Sequence, residues 1–150
     1  AMSLGWQFNE QSIFLNHHPK INAMLVSEKQ RPNFLPKYFG RHMMIAENGI
    51  YNAMSQLCSN YDGAFWHFYE LSNGGFYMAP DLDEKLEMSV TSNGYAGVLS
   101  ADAAGIVASL CVINQLCWQD QSEKMINNYY LLRDFATEHN EASEIFAAID

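Results

Sequence analysis

The chain has 150 residues, 49% of them hydrophobic and 13% aromatic, which excludes a disordered chain and fits one domain with a substantial core. Eight lysines and arginines stand against 17 acids, a net charge of −9, which argues against direct binding to nucleic acid, where cations must displace counterions. No apolar run approaches the ~20 residues of a bilayer span and no signal-peptide pattern opens the chain, and three cysteines in apolar surroundings point to free buried thiols in a reducing cytoplasm.

Ala1 and Met2 read as a cloning remnant, and residues 1–20 as an irregular arm ending in Asn16-His17-His18-Pro19; a single domain is expected over 21–150. Residues 23–26 fit a short strand, and 33–39 one helical turn closed by Gly40. From 42 to 59 the apolar residues Met43, Ala46, Ile50, Ala53, Met54, Leu57 and Cys58 recur at helical spacing and define one buried stripe.

The period then changes. Two nearly all-aromatic or apolar runs flank Ser72-Asn73-Gly74, a strong hairpin signal. With Asn73 and Gly74 central in a type I′ turn, Ser72 pairs with Gly75 and Glu70 with Tyr77. One face then carries Phe65, His67, Tyr69 and Leu71 with Phe76 and Met78, and the other Trp66, Phe68 and Glu70 with Tyr77 and Ala79. Rings on both faces place this hairpin centrally in a sheet or under cover on both sides. Residues 86–91 alternate as a third strand, Ser92-Asn93-Gly94 turns, and 95–99 fit a fourth. Ser100 caps a core helix to about 118 that is apolar nearly all round, with Asp102 in the first turn where the helix dipole favours an anion. Ser122 caps a second helix and Asn140 a short third. The fold class is α+β: one domain, a small antiparallel sheet with a central aromatic hairpin packed against several helices.

The five histidines lack metal-ligand spacing, and no cysteine lies near one in sequence. His67 and Glu70 lie an odd number of residues apart on a strand, hence on opposite faces, so they form no acid–base pair by themselves. The cysteines lack an electropositive, exposed setting, and the Asn-Gly turns lead into strands rather than a phosphate-binding helix. No catalytic, cofactor or metal residue is therefore assigned. The acids cluster at Asp81, Asp83, Glu84 and Glu87 and again at Glu138, Glu141, Glu144 and Asp150, which fits either a solvated surface or a contact patch for a basic partner.

The segment Phe65-Trp66-His67-Phe68-Tyr69-Glu70-Leu71-Ser72-Asn73-Gly74-Gly75-Phe76-Tyr77-Met78-Ala79-Pro80 resembles the signature hairpin of the ArdB/KlcA antirestriction family. Further matching strings are Asn93-Gly94-Tyr95-Ala96-Gly97, Leu99-Ser100-Ala101-Asp102-Ala103-Ala104-Gly105-Ile106-Val107-Ala108, Leu132-Arg133-Asp134-Phe135-Ala136, the terminal Ile145-Phe146-Ala147-Ala148-Ile149-Asp150 and, upstream, Phe34-Leu35-Pro36 and Tyr38-Phe39-Gly40, so that the likeness runs from about Ala23 to the end. The resemblance implies relief of host Type I restriction without chemistry on DNA, by a protein carried on plasmids or genomic islands. It implies no catalytic residue and no cofactor. The expected partner is the Type I restriction-modification complex or an associated host factor, with no direct DNA or membrane binding, and the expected state is a monomer or weak homodimer. Extended DNA mimicry fails on the inventory: a ~34 Å duplex stretch shows roughly 20 charges, more than the 17 acids of the whole chain. Two other readings stay open, a plasmid-encoded regulator acting through a protein partner and an enzyme built around His67, Glu70 and Tyr77.

Overall fold

A computed structural model of the chain describes residues 19–150; the arm expected over 1–20 lies almost wholly outside the described residues. The elements are β1 (Ala23–Leu25), α1 (Arg31–Phe39), α2 (Met43–Leu57), β2 (Trp66–Leu71), β3 (Phe76–Pro80), β4 (Leu86–Val90), β5 (Tyr95–Leu99), α3 (Ala101–Asp120), α4 (Glu123–Thr137) and α5 (Ala142–Ile149), with single 3₁₀ turns at Glu28–Gln30 and Gly40–His42. The strands fall into two antiparallel sheets, β1-β2-β3 and β4-β5, rather than one. The α+β class expected from the sequence holds.

Helix α3 organises the packing. The Ser100 hydroxyl accepts the Ala103 N–H at 3.1 Å and starts the helix; Gln121, in a left-handed conformation (φ 56°), ends it. The helix is long and apolar enough to span a bilayer, but Ala103, Ala104, Ile106, Val107, Ala108 and Ile113 are fully buried, so it is the core helix. It lies along the edge of β3 that pairs with no other strand among the described residues. Such an edge exposes backbone donors and acceptors that must be satisfied or covered. Ser109 does this, its hydroxyl lying 3.3 Å from both the N–H and the C=O of Met78. Gly105, one turn earlier, permits the approach: a Cβ there would stand 2.4 Å from the Ala79 Cβ and 2.6 Å from the Met78 carbonyl oxygen.

The hairpin exists where the sequence places it, but its register differs by one. The loop has three residues, not two: Leu71 pairs with Gly75, and Gly74 takes the positive φ of 95° at the last loop position. Asn73 fixes this choice, accepting the Gly75 N–H and donating to the Leu131 carbonyl, both at 2.9 Å. Glu70 consequently faces Phe76, and Tyr69 faces Tyr77. Because side chains alternate, the slip turns all of β3 over relative to the expectation. Phe68 and Phe76 thus share a face, and α1 covers it: Phe34 stacks on Phe68 with centroids 4.4 Å apart, and Tyr38 on Phe76 at 4.1 Å.

Two local expectations are corrected. Asn140 does not cap the last helix; Glu141 occupies the cap position without a side-chain cap bond, after a turn in which Ala142 N–H donates to His139 O. Of the three free cysteines only Cys58 is buried, since Cys111 and Cys117 lie on the flanks of α3 and are half-buried.

Candidate functional site

The second face of the three-stranded sheet is only partly covered. Phe65, His67 and Tyr69 alternate onto it from β2 and the residue before it, and the register adds Leu25 and Tyr77 opposite Tyr69. Their rings form a continuous series. Phe65 meets His67 edge-on at 5.5 Å, His67 meets Tyr69 at 6.2 Å, Tyr69 stacks on Tyr77 at 4.8 Å, and Tyr77 on Phe135 of α4 at 5.7 Å. Tyr77 is buried, whereas Phe65, at the other end of the series, and Leu25, across Tyr69 from Tyr77, are each 58% exposed. Asp81 stands at the open end, its Oδ1 3.5 Å from His67 Nε2. Solvent-facing rings beside a carboxylate suit an apolar or cationic group of another protein.

A polar network holds the covered end in place. The Tyr77 hydroxyl donates to Asp102 Oδ1 at 2.7 Å, and Asp102 Oδ2 lies 2.8 Å from His139 Nε2. His139 Nδ1 accepts the Glu141 N–H at 3.0 Å, so the proton of the neutral ring sits on Nε2 and is donated to Asp102. The Glu141 carboxylate accepts the Ser100 N–H at 2.9 Å and the Ser100 hydroxyl at 2.5 Å. Serine, aspartate and histidine thus gather at the start of α3 in a wiring unsuited to nucleophilic attack. Both nitrogens of His139 are occupied and the Ser100 hydroxyl donates to Glu141 instead, so the imidazole is not placed to activate it as a serine–histidine pair requires. Burial, followed by the Asp102 charge and hydrogen bond, pushes the Tyr77 hydroxyl far above the usual tyrosine range. The arrangement ties the chain leading into α5 to the start of α3.

The proposed trio of His67, Glu70 and Tyr77 does not assemble. Glu70 is on the other face, where it accepts the Tyr38 hydroxyl at 2.5 Å and pairs with Lys37 at 2.8 Å. Hydrogen bonds from Lys37 and Tyr38 hold its carboxyl below the usual range. Tyr77, expected opposite Glu70, shares the His67 face instead.

The eight candidate acids divide by environment. Asp81, Asp83, Glu84 and Glu87 are exposed on the β3–β4 connection and the start of β4. The C-terminal four carry internal contacts. Glu138 accepts the Ile21 N–H at 2.9 Å, Glu141 binds Ser100, Glu144 accepts the Tyr95 hydroxyl, and Asp150 lies 3.5 Å from Arg133. Tyr95 is pushed up to about 12 by burial and by Glu144. Burial also pushes the Cys58 thiol up to about 11, opposite to what a nucleophilic cysteine needs. Asp102 and His139 escaped the sequence reading as a pair. Asp102 was legible only as an anion at a helix start, and nothing in the spacing marks His139.

Known proteins share this architecture. A family profile described as "Antirestriction protein" matches residues 59–150. The antirestriction protein KlcA of Escherichia coli is 51% identical over 135 residues, covering 87% of this chain and 95% of that protein. The putative antirestriction protein YubI of Escherichia coli (strain K12) is 36% identical over 132 residues, covering 83% and 93%. A solved structure from work on the KlcA and ArdB proteins superposes with a TM-score of 0.82 at 50% identity, covering 89% of this chain and 99% of that one. Those proteins are described as having a novel fold and antirestriction activity against Type I DNA restriction systems in vivo but not in vitro. By sequence and by fold, the chain belongs to the antirestriction protein family.

Proposed function

We propose that this protein relieves Type I restriction in the bacterial cytoplasm by binding a protein, without catalysis and without imitating an extended duplex. The observation that carries the reading is 51% identity to KlcA along nearly the full length of both chains. The interaction mechanism is supported by where the acids are. Glu47, Glu70, Asp102, Glu138, Glu141 and Glu144 accept hydrogen bonds from neighbouring backbone or side chains, and Asp150 faces Arg133. The acids left for a partner are too few to match the phosphate spacing of a helical turn, roughly 20 charges. The open ring series with Asp81 at its end, and the exposed Asp83, Glu84 and Glu87 further along the chain, offer a short mixed patch instead. The structural relatives' activity in vivo but not in vitro fits a target reached through an associated host factor.

The test is phage plating. The chain is expressed in cells with and without a Type I system, and unmodified phage are titred on both. Recovery of plaques only where the system is present is the expected result; no recovery against several Type I systems would refute the function. For the mechanism, Phe65→Ser and the reversal of Asp83, Glu84 and Glu87 to lysine should each cut relief at least about tenfold, equivalent to a lost contact of ~1.4 kcal/mol. Full relief by both folded variants would move the contact off this surface.

A further inference from the structure

A concave surface lies beside the hairpin; it shares Phe65 with the ring series, but its polar lining comes from other residues. The cleft, about 580 Å³, opens between α2 and the loop that leads into β2. That volume is within the ~300–1,000 Å³ range of small-molecule sites. Its lining is rich in donors. Arg31, the first residue of α1, extends its guanidinium between the rings of Phe65 and Phe68, 4.5 and 4.3 Å from their centroids. One nitrogen, Nη1, donates to the Trp66 carbonyl at 2.9 Å. Among the described residues Arg31 has no carboxylate partner, whereas Lys37 and Arg133 each have one. A guanidinium fixed by two rings and one carbonyl is preorganised, and its remaining N–H groups keep the fork that matches a carboxylate.

The other polar groups agree in sign. The Tyr61 hydroxyl accepts Trp66 Nε1–H at 3.0 Å, which leaves its own proton available for donation. Asn52 and Ser55, exposed and three residues apart on α2, add an amide and a hydroxyl along the opposite wall. Phe65 supplies an exposed apolar wall. Asp62 also lines the cleft and, in a chain of net charge −9, opposes a polyanion such as a nucleotide polyphosphate. We infer that this cleft is a binding site for a singly charged carboxylate borne on a flat apolar body, with Arg31 as its counter-ion and Tyr61, Asn52 and Ser55 as donors.

Amide spectra of the isotope-labelled full chain, titrated with sodium benzoate and in parallel with benzamide, test this. Benzoate should give saturable shifts around Arg31, Asn52, Ser55 and Tyr61, and benzamide, which has the same shape without the charge, should bind at least about tenfold more weakly. Arg31→Gln should abolish benzoate binding. Because Arg31 also packs on the exposed ring of Phe65 and the buried ring of Phe68, Ser55→Asp serves as the second variant: it places a repelling charge at an exposed position and should weaken benzoate at least about tenfold with the fold unchanged. Equal affinity for benzoate and benzamide, no saturable shift at these residues, or parental benzoate affinity in a folded Ser55→Asp chain would each overturn the assignment. A peptide ending in phenylalanine, run with a free and an amidated C-terminus, separates the sources. Tighter binding of the free form than of benzoate identifies a chain terminus and weaker binding a small acid, and both outcomes sustain a carboxylate site.

Discussion

Two helical glycines permit opposite predictions from the same substitution. Alanine is favoured over glycine in a helix interior by up to ~1 kcal/mol, so propensity alone would make both Gly49→Ala and Gly105→Ala stabilising. At Gly49 the new Cβ would meet the Val112 methyls at 3.4 and 3.5 Å, an ordinary contact. At Gly105 it would meet Ala79 Cβ at 2.4 Å, Ala79 Cα at 2.5 Å and the Met78 carbonyl oxygen at 2.6 Å. Two of those three atoms belong to the backbone of a buried strand and cannot rotate away. Helix α3 must retreat from β3 by about 1 Å to restore normal contact, which forfeits a quarter to a half of the dispersion energy at neighbouring contacts. The Ser109 bonds to Met78, already 3.3 Å long, would break with that retreat.

Overpacking costs typically ~1–3 kcal/mol, and each lost buried hydrogen bond adds about 1 kcal/mol. Against the ~1 kcal/mol gained in propensity, Gly105→Ala should destabilise by roughly 3 kcal/mol. At 2–4 °C per kcal/mol for a chain of this size, the melting temperature should fall by roughly 6–12 °C, while Gly49→Ala raises it by a few degrees at most. Thermal melts and urea titrations followed by far-ultraviolet circular dichroism and tryptophan fluorescence measure the two quantities. Equal stabilisation of the two variants would show that α3 does not approach β3 as described. An Ala79→Gly, Gly105→Ala double variant should recover only part of the loss, because the Ala79 Cα and the Met78 carbonyl remain in the way.

Ser100→Ala removes the cap on the Ala103 N–H and the hydroxyl donor to Glu141. The urea midpoint should drop by the equivalent of ~1–2 kcal/mol, and a midpoint unchanged within error would count against the network at the start of α3. Alkaline pH should weaken the fold. The Tyr77 and Tyr69 hydroxyls are pushed up by burial, Tyr51 to about 12 by burial and Glu47, and the Cys58 thiol to about 11. A group whose folded pKa is raised keeps its proton longer when folded. Its contribution is complete below the unfolded pKa, near 9.0 for cysteine and 10.0 for tyrosine, and is lost as pH rises toward the folded value. Unfolding free energy should therefore decline from about pH 9 upward, by at most ~1.4 kcal/mol per pH unit for each such group. A profile flat to pH 11 in urea titrations would contradict this.

The elements that sequence reading located best are those with local signatures: the stripe from Met43 to Cys58, the Ser100 and Ser122 caps, and the turns at Gly74 and Gly94. The hairpin register was not local. Asn-Gly followed by a second glycine admits a two- or a three-residue loop, and the choice is made by Asn73 reaching Leu131, 58 positions away. Since one residue of slip inverts a strand, that single bond decides whether Tyr77 meets Glu70 or Tyr69. The site suffers the same way. Tyr77, Asp102 and His139 lie 25 and 37 residues apart and join only because α3 starts beside β3 and α4 ends there. The C-terminal acids looked like a surface cluster because sequence proximity conceals that Ser100, Tyr95 and Ile21, all distant in sequence, supply their donors.

The family-matched stretch begins at residue 59, after α1 and α2, yet the hairpin within it cannot be stable alone. The rings of Phe34, Tyr38 and Phe39 form the cover over Phe68 and Phe76, and α2 packs on α3 where Gly49 meets Val112. Removing residues before 59 would expose one whole aromatic face of the sheet, at ~25 cal/mol for each Å² of apolar surface returned to water. Of the two aromatic faces, then, one is closed by α1 and the other is closed only as far as Tyr77 and Phe135. A chain that buries so many rings elsewhere leaves Phe65 in solvent at the end where Asp81 stands, and Leu25 in solvent beside Tyr69. Their exposure is not forced by the sheet, whose third strand is buried along its whole length. That makes the open end of the ring series, rather than the acids of the last helix, the surface on which loss of antirestriction should first be sought.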